Sequence, residues 1–150
     1  MKLFIFFISI LIISCSREDT RSVIAIKPEW KEFNSKDSIP KQLNAVLFAL
    51  NGETKIANPN EDYNATDVVE IELLDRKLRL LSKKDSNWRM IYEEGGIANY
   101  DVYIECEIRN DSLFNVKIGY PSQLIETNDN LTAFLKQGKM QLHKMKVSYK

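Results

Sequence analysis

Oxygen-bearing side chains recur at every second position in one segment of this chain. They are Asn58, Asn60, Asp62 and Asn64. Amide and carboxylate oxygens are the ligands that Ca²⁺ takes from a protein loop, so the spacing suggests calcium binding. A calcium loop of this kind also needs glycine at its sixth position and an acid at its twelfth, where this chain has Tyr63 and Val69. We therefore predict no metal here and interpret the segment as a turn-rich loop.

The loop around these residues is predicted to run from Gly52 to Thr66, which is longer than most connections in a compact domain. Long loops of this kind are often binding loops. We therefore predict that the loop contacts a partner, with Tyr63 as a natural contact residue at its middle. The predicted contact residues are Asn60, Asp62, Tyr63 and Asn64.

Paired carboxylates could carry acid–base chemistry, and Glu105 and Glu107 share one face of a predicted strand. Lys117 is predicted to lie opposite Glu105 and to neutralise it, which favours a solvated sheet face over an active site. The chain has a single histidine, His143, and lacks a glycine-rich phosphate loop and a GxSxG turn. We therefore predict a non-enzymatic protein without catalytic residues, cofactor or metal.

The two cysteines have different predicted roles. Cys106 lies on the apolar face of an alternating strand, where it is interpreted as a small buried hydrophobic residue. Cys15 directly follows Ser14 and the apolar run Leu3–Ile13, which itself follows the basic residue Lys2. A basic residue, a short apolar run and a small residue are typical of a secretory signal peptide. The run is too short for a transmembrane helix, which needs about 18–20 apolar residues.

The sequence Ile12-Ile13-Ser14-Cys15 resembles the lipobox of bacterial lipoproteins. The resemblance implies cleavage before Cys15, linkage of its thiol to a diacylglycerol and acylation of the new amine, with acyl chains such as palmitate. It also implies a lipid-anchored protein of the cell envelope, periplasmic or at the outer membrane. The following Ser16-Arg17-Glu18-Asp19 resembles in part the export tags of Bacteroidota surface lipoproteins, and a plain solvated linker is the alternative.

The predicted organisation is a signal peptide over 1–14, a lipidated tether over 15–22 and a single globular domain over 23–150. Lys2 is the only charged residue of the signal peptide, so the mature chain keeps 20 of its 21 basic residues and all 21 acidic ones. This balance gives no electrostatic reason to expect nucleic acid as a partner.

The predicted fold is α+β, with an antiparallel sheet of about five or six strands. A main helix over about 39–50 and a short helix near 130–137 are predicted to pack against it. In the main helix, Leu43, Val46, Leu47 and Leu50 form one apolar face. Asp37 and Ser38 are expected to cap this helix, and a further helical turn is expected at Trp30 and Phe33. Predicted strands cover 23–26, 69–73, 78–80, 88–92, 101–108, 113–120 and 145–149.

The strongest predicted hairpin joins strands 101–108 and 113–120. Apolar residues face each other if Ile108 lies opposite Phe114 and Cys106 opposite Val116. The predicted pairing continues with Ile104 opposite Ile118, Val102 opposite Tyr120, and Glu105 opposite Lys117 on the other face. A register shifted by one residue would place Glu107 opposite Phe114, so we expect it to be less stable than the predicted register.

The favoured function is a non-enzymatic binding or accessory module with an envelope protein or glycan as its partner. The alternative is an immunity or inhibitor lipoprotein that neutralises a periplasmic toxin or enzyme. Asp111-Ser112-Leu113 also resembles a short O-glycosylation motif of Bacteroidota, which makes Ser112 a candidate modification site.

Overall fold

A computed structural model describes residues 29–147. The predicted signal peptide, Cys15, the tether and the strand predicted at 23–26 lie outside the described residues. The strands are β1 (Lys31–Glu32), β2 (Arg76–Lys84), β3 (Asn87–Glu94), β4 (Tyr100–Arg109), β5 (Ser112–Gly119) and β6 (His143–Lys144), and the helices are α1 (Lys41–Asn51) and α2 (Asn128–Lys136). All strand pairs are antiparallel, and the strands neighbour one another in chain order. The predicted α+β class with a sheet of about six strands is confirmed.

The sheet buries both of its faces, one under each helix. Side chains alternate along β3 and β4, so Met90 and Ile104 lie on one face, and Ile91 and Tyr103 lie on the other. The first face packs with Leu43, Val46 and Leu47 of α1. The second packs with Leu131 and Phe134 of α2, together with Ile125 and Met140. Each predicted helix therefore packs on the sheet, and the two cover opposite faces.

The main helix begins after Pro40 and ends at Gly52, close to the predicted bounds. Gly52 has φ 74°, a left-handed conformation that suits a helix C-terminus. The expected caps Asp37 and Ser38 are not used, because they lie in a separate 3₁₀ turn over Lys36–Ser38. Proline disfavours helical backbone in the residue before it, so Ile39 is extended and the α-helix cannot start earlier.

The helical turn expected at Trp30 and Phe33 is wrong, because this segment forms the edge strand β1. Lys31 pairs with Lys83 of β2, and the Phe33 amide donates to the Leu81 carbonyl at 2.9 Å. Two paired residues are too few for a period of two to be visible in the sequence.

The strand predicted over 69–73 is also wrong, because these residues belong to a loop that runs from Gly52 to Asp75. Val69 and Ile71 are exposed, and the Leu73 amide donates to the Glu70 carbonyl in a turn. Instead, strand pairing begins at Arg76, which lies opposite Glu94 of β3.

The β4–β5 hairpin follows the predicted register in one half and the rejected register in the other. Glu105 lies opposite Lys117 and Ile104 opposite Ile118, as predicted, whereas Glu107 lies opposite Phe114. The two registers are joined by a bulge at Asn115, whose φ is 53°. The prediction that Phe114 faces Ile108 is therefore wrong, and Leu113 takes that place. Likewise β5 ends at Gly119, so Tyr120 does not pair with Val102.

The turn explains the change of register. Asn110 and Asp111 have φ values of 47° and 60°, as in the two-residue turns that match the twist of a hairpin. Such a turn forces Arg109 opposite Ser112. This register differs by one residue from that of the half farther from the turn, where Glu105 lies opposite Lys117. The bulge then restores the buried positions of Cys106 and Val116.

The short second helix begins at Asn128, two residues before its predicted start. The Thr127 side chain caps it by accepting from the Asn130 amide. The strand predicted over 145–149 is wrong for residues 145–147, because β6 covers only His143 and Lys144, and residues 148–149 lie outside the described residues. Met145 and Val147 still pack against the α1 face, as the alternation predicts.

Candidate functional site

One end of the sheet carries three long connections between its elements. Here β2 and β4 begin and β3 and β5 end, and the connections are 52–75, 95–99 and 120–127. We call this end the loop end. The opposite end, the turn end, carries the two-residue turns at 85–86 and 110–111. Function tends to reside in loops that a rigid scaffold positions, so the loop end is the first candidate for a binding site.

The longest of these loops is held by the side chain of Asn64, which is only 4% exposed. Its Nδ2 donates to the Glu70 carbonyl at 3.2 Å, the Leu73 carbonyl at 3.2 Å and the Asp75 carboxylate at 2.9 Å. Its Oδ1 accepts from the Glu70 amide at 2.9 Å. A buried amide with all these partners fixes the loop in one conformation.

The loop is also pressed against the β3–β4 connection at Gly95. The Gly95 amide donates to the Asp75 carbonyl at 2.8 Å. A Cβ atom at residue 95 would lie 1.8 Å from the Asn64 carbonyl oxygen. Only glycine allows the two backbones to approach so closely, so the loop and the connection form one unit.

A second clamp holds the start of the loop. The Glu61 carboxylate accepts from Lys36 Nζ at 2.9 Å and from the amide and side chain of Asn58 at 2.8 and 2.9 Å. These hydrogen bonds, the one from Lys36 first, lower the pKa of Glu61 to about 2. Asn58 in turn accepts from the Lys36 amide at 2.8 Å, which ties the loop to the 3₁₀ turn.

Large apolar side chains of the loop end are exposed to solvent. Ile71 is 98% exposed and Ile97 is 94% exposed, and Val68 and Val69 are also exposed. Val69 and Ile71 flank Glu70, whose backbone Asn64 fixes, and Ile97 is two residues beyond Gly95. The exposed apolar residues are therefore presented by segments that are themselves well anchored.

The same loop is strongly acidic. Residues 56–75 contain no Lys or Arg and six acids, which are Glu61, Asp62, Asp67, Glu70, Glu72 and Asp75. Asp62, Asp67, Glu70 and Glu72 are exposed, and none of these four forms a salt bridge with a described residue. The exposed valines and isoleucine therefore stand among uncompensated negative charges.

A buried charge cluster lies beneath the loop end. Arg79 is the extra residue of a bulge in β2, and its guanidinium donates to Glu93 of β3 and to Asp101 of β4, the latter at 2.9 Å. Burial raises the pKa of Asp101, although Arg79 opposes this change. One guanidinium holds both carboxylates, so the cluster joins three strands, and Arg79 offsets one of its two negative charges. We interpret the cluster as structural.

A shallow groove of about 280 Å³ opens beside this cluster. It is lined by Arg79, Glu93, residues 99–101 and residues 121–124. The rings of Tyr100 and Tyr120 lie 6.1 Å apart and are both exposed. The groove extends the loop end from the acidic loop toward the connection that leads to α2.

The four predicted contact residues divide into three groups. Asn60 and Asp62 are exposed, whereas Tyr63 is half-buried with Lys77 Nζ 4.1 Å from its ring centroid. Asn64 uses its polar atoms within the chain. The contact role therefore stays a prediction for all four, and Asn64 has in addition the positioning role described above. Val69 and Ile71 were not predicted, because their alternation with acids resembles a strand.

The other candidate residues lie elsewhere. Ser112 is exposed beside the hairpin turn at the turn end, so its glycosylation stays a prediction. Glu105 accepts from Lys117 Nζ at 3.0 Å, as expected, and from the Tyr103 hydroxyl at 2.7 Å. Burial raises the pKa of Glu105, but these two hydrogen bonds outweigh it, so the pKa is lowered overall. Cys106 is buried, and burial raises the pKa of its thiol to about 12.

Within residues 29–147, no group of three or more His, Cys, Asp or Glu side chains is arranged to hold a metal ion. Neither helix in this part of the chain is long and apolar enough to cross a membrane. Comparisons with protein families, with curated proteins and with solved structures find no match to this chain.

Proposed function

We propose that this chain is a lipid-anchored, non-enzymatic binding protein of the cell envelope that contacts a partner protein through its loop end. The observation that carries the proposal is the full exposure of Ile71 and Ile97 on backbone segments that are fixed by Asn64 and Gly95. The free energy falls when a partner removes exposed apolar groups from water, so such groups favour binding.

The fixed conformation of the loop supports the proposal that its exposed apolar residues form a binding surface. A mobile loop loses conformational entropy when it binds, whereas a loop already held by its own hydrogen bonds loses less. The Asn64 side chain and the Glu61 clamp both hold the acidic loop through hydrogen bonds within the chain. The surface is therefore preorganised, which is the condition under which a small apolar patch binds well.

The envelope location rests on the lipobox-like sequence that ends at Cys15. Metabolic labelling with a fatty acid tests it directly: the wild-type chain is expected to take up label, and Cys15→Ala is expected to take up none. Equal labelling of the two would contradict the anchor. The labelling experiment tests only the lipid anchor, and the binding role of the loop end is tested by a separate experiment.

The binding role is tested by affinity purification of the full lipidated chain from its own membranes. One protein is expected to co-purify in stoichiometric amount with the wild type. Its recovery is expected to fall at least tenfold with Ile71→Ser and to stay unchanged with the control Phe48→Ser, since Phe48 is 60% exposed on α1. Equal recovery with both variants would contradict the proposal. The identity of the partner, an envelope component or a toxin, separates an accessory role from an inhibitor role.

A further inference from the structure

We infer that the partner of the loop end presents a basic protein surface that receives the apolar residues Val69 and Ile71. This inference rests on the proposed function and adds the chemistry of the partner. It is carried by the charge of the loop, by the positions of the acids relative to the apolar residues, and by where the chain enters the sheet.

The acids and the apolar residues alternate in one short run. Glu70 lies between Val69 and Ile71, and Glu72 follows directly. A partner that buries Val69 and Ile71 must therefore approach both carboxylates within a few ångströms. A neutral or acidic surface would remove these charges from water without compensation, which is unfavourable. Lys or Arg side chains around an apolar pocket satisfy both requirements.

Among residues 29–147, neither Glu70 nor Glu72 forms a salt bridge. Lys55 of the loop is exposed and forms no salt bridge either, and three other basic residues near the loop pair with other acids. Arg76 pairs with Glu53 and Glu94, and Arg79 with Glu93 and Asp101. Lys36 pairs with Glu61. The negative field of Glu70 and Glu72 is therefore available to steer a positively charged partner toward the loop end.

The charge also favours a protein over a lipid surface as the occupant. Bacterial membranes carry anionic lipids, and a loop whose residues 52–75 include seven acids and one basic residue, Lys55, is repelled by them. The direction of the chain agrees with this choice. Lys31 pairs with Lys83 near the turn end of β2, so the described part of the chain enters the sheet from the turn end, away from the loop end.

The charge requirement is tested on the full lipidated chain in nanodiscs of uncharged phosphatidylcholine, with decalysine as the probe and decaglutamate as its counterpart. Decalysine is expected to shift the amide NMR signals of residues 62–72 and of Ile97, and decaglutamate to shift none. The apparent Kd for decalysine is expected to rise at least threefold with Glu70→Lys. It is expected to stay unchanged with Glu29→Lys, an exposed acid at the turn end that carries the same change of charge. Equal shifts by both peptides, or equal effects of both variants, would overturn the inference.

Affinity purification with Glu70→Lys separates this inference from the proposed function. Loss of the partner with Glu70→Lys and with Ile71→Ser supports both. Loss with Ile71→Ser alone overturns the basic partner but leaves the binding role intact. Recovery of a second copy of the same chain as the sole partner, or binding of the loop end to the nanodisc lipid, would also overturn the inference.

Discussion

The side chain of Asn64 binds the backbone of Glu70 in both directions. Its Oδ1 accepts from the Glu70 amide at 2.9 Å, and its Nδ2 donates to the Glu70 carbonyl at 3.2 Å. This pair takes the place of the hydrogen bonds that a neighbouring strand would otherwise supply. It turns a segment with the alternation of a strand into a fixed, exposed loop that carries Val69 and Ile71.

Asn64→Ala is expected to destabilise the domain by about 1–3 kcal/mol, because the Glu70 amide, the Leu73 carbonyl and the Asp75 carboxylate lose the partner that Asn64 provides. The matched control Asn60→Ala removes an exposed side chain without a hydrogen bond to a described residue, so it is expected to change stability by less than about 0.5 kcal/mol. Chemical denaturation measures both. Hydrogen exchange of the Glu70 amide is expected to accelerate with Asn64→Ala only, and equal behaviour of the two variants would contradict the positioning role.

Gly95→Ala is expected to separate the acidic loop from the β3–β4 connection. The added Cβ would meet the Asn64 carbonyl oxygen at 1.8 Å, and backbone atoms cannot move away without displacing the loop. A destabilisation of about 1–3 kcal/mol is expected from such overpacking. Gly119→Ala is the comparison, since its Cβ meets the flexible side chains of Met140 and Leu142. If Gly119→Ala proved the more damaging variant, the close approach at Gly95 would be in doubt.

The Glu61 clamp predicts a specific pH dependence. The pKa of Glu61 is lowered from 4.5 to about 2, so the stabilisation is fully present above the unfolded-state pKa. It is lost as the pH falls from about 4.5 through about 2. Wild type is therefore expected to be more stable than Glu61→Gln at pH 7, and the difference is expected to vanish near pH 2. Denaturation curves of both chains at these pH values measure this, and a difference independent of pH would contradict the clamp.

Cys106 is expected to be chemically inert in the folded domain. Burial raises the pKa of its thiol to about 12, so at pH 8 it holds about a thousandfold less thiolate than an exposed cysteine. Iodoacetamide is expected to leave the Cys106 peptide unmodified in the native chain and to alkylate it fully in denaturant, as read by mass spectrometry. Rapid alkylation of the native chain would show that the residue is accessible and would contradict its role in the core.

Local patterns in the sequence predict the parts of the fold that local forces determine. The apolar face of α1 and its stop at Gly52, and the alternation along β3 and β4, are visible because one element alone carries each signal. The buried position of Cys106 follows from the same alternation.

The errors arise where residues outside a segment decide the conformation of that segment. Val69–Leu73 alternates as a strand does, but the amide of Asn64, outside that run, supplies its hydrogen bonds. In the β4–β5 hairpin, the turn at Asn110 and Asp111 requires one register and the buried core another, and the bulge at Asn115 reconciles them. Hydrophobic pairing alone predicts the register of the buried core and not the register that the turn requires.

The candidate site shows the same division. The sequence indicates a long, polar binding loop, and the structure extends it to Asp75. The exposed apolar residues could not be distinguished from a strand's buried face, because the pattern of Val69, Glu70, Ile71 and Glu72 is the same in both cases.

The most direct test of the central claim is photocrosslinking in intact cells, with a benzophenone amino acid in place of Ile71 in the full-length chain and, as the control, in place of Phe48. Both positions are exposed, Ile71 by 98% and Phe48 by 60%, so a bound partner can reach the reagent at each. The proposed binding surface predicts one discrete crosslinked protein from residue 71 and none from residue 48. Crosslinking in equal yield from both positions, or from residue 48 alone, would contradict the assignment of the loop end as the binding surface.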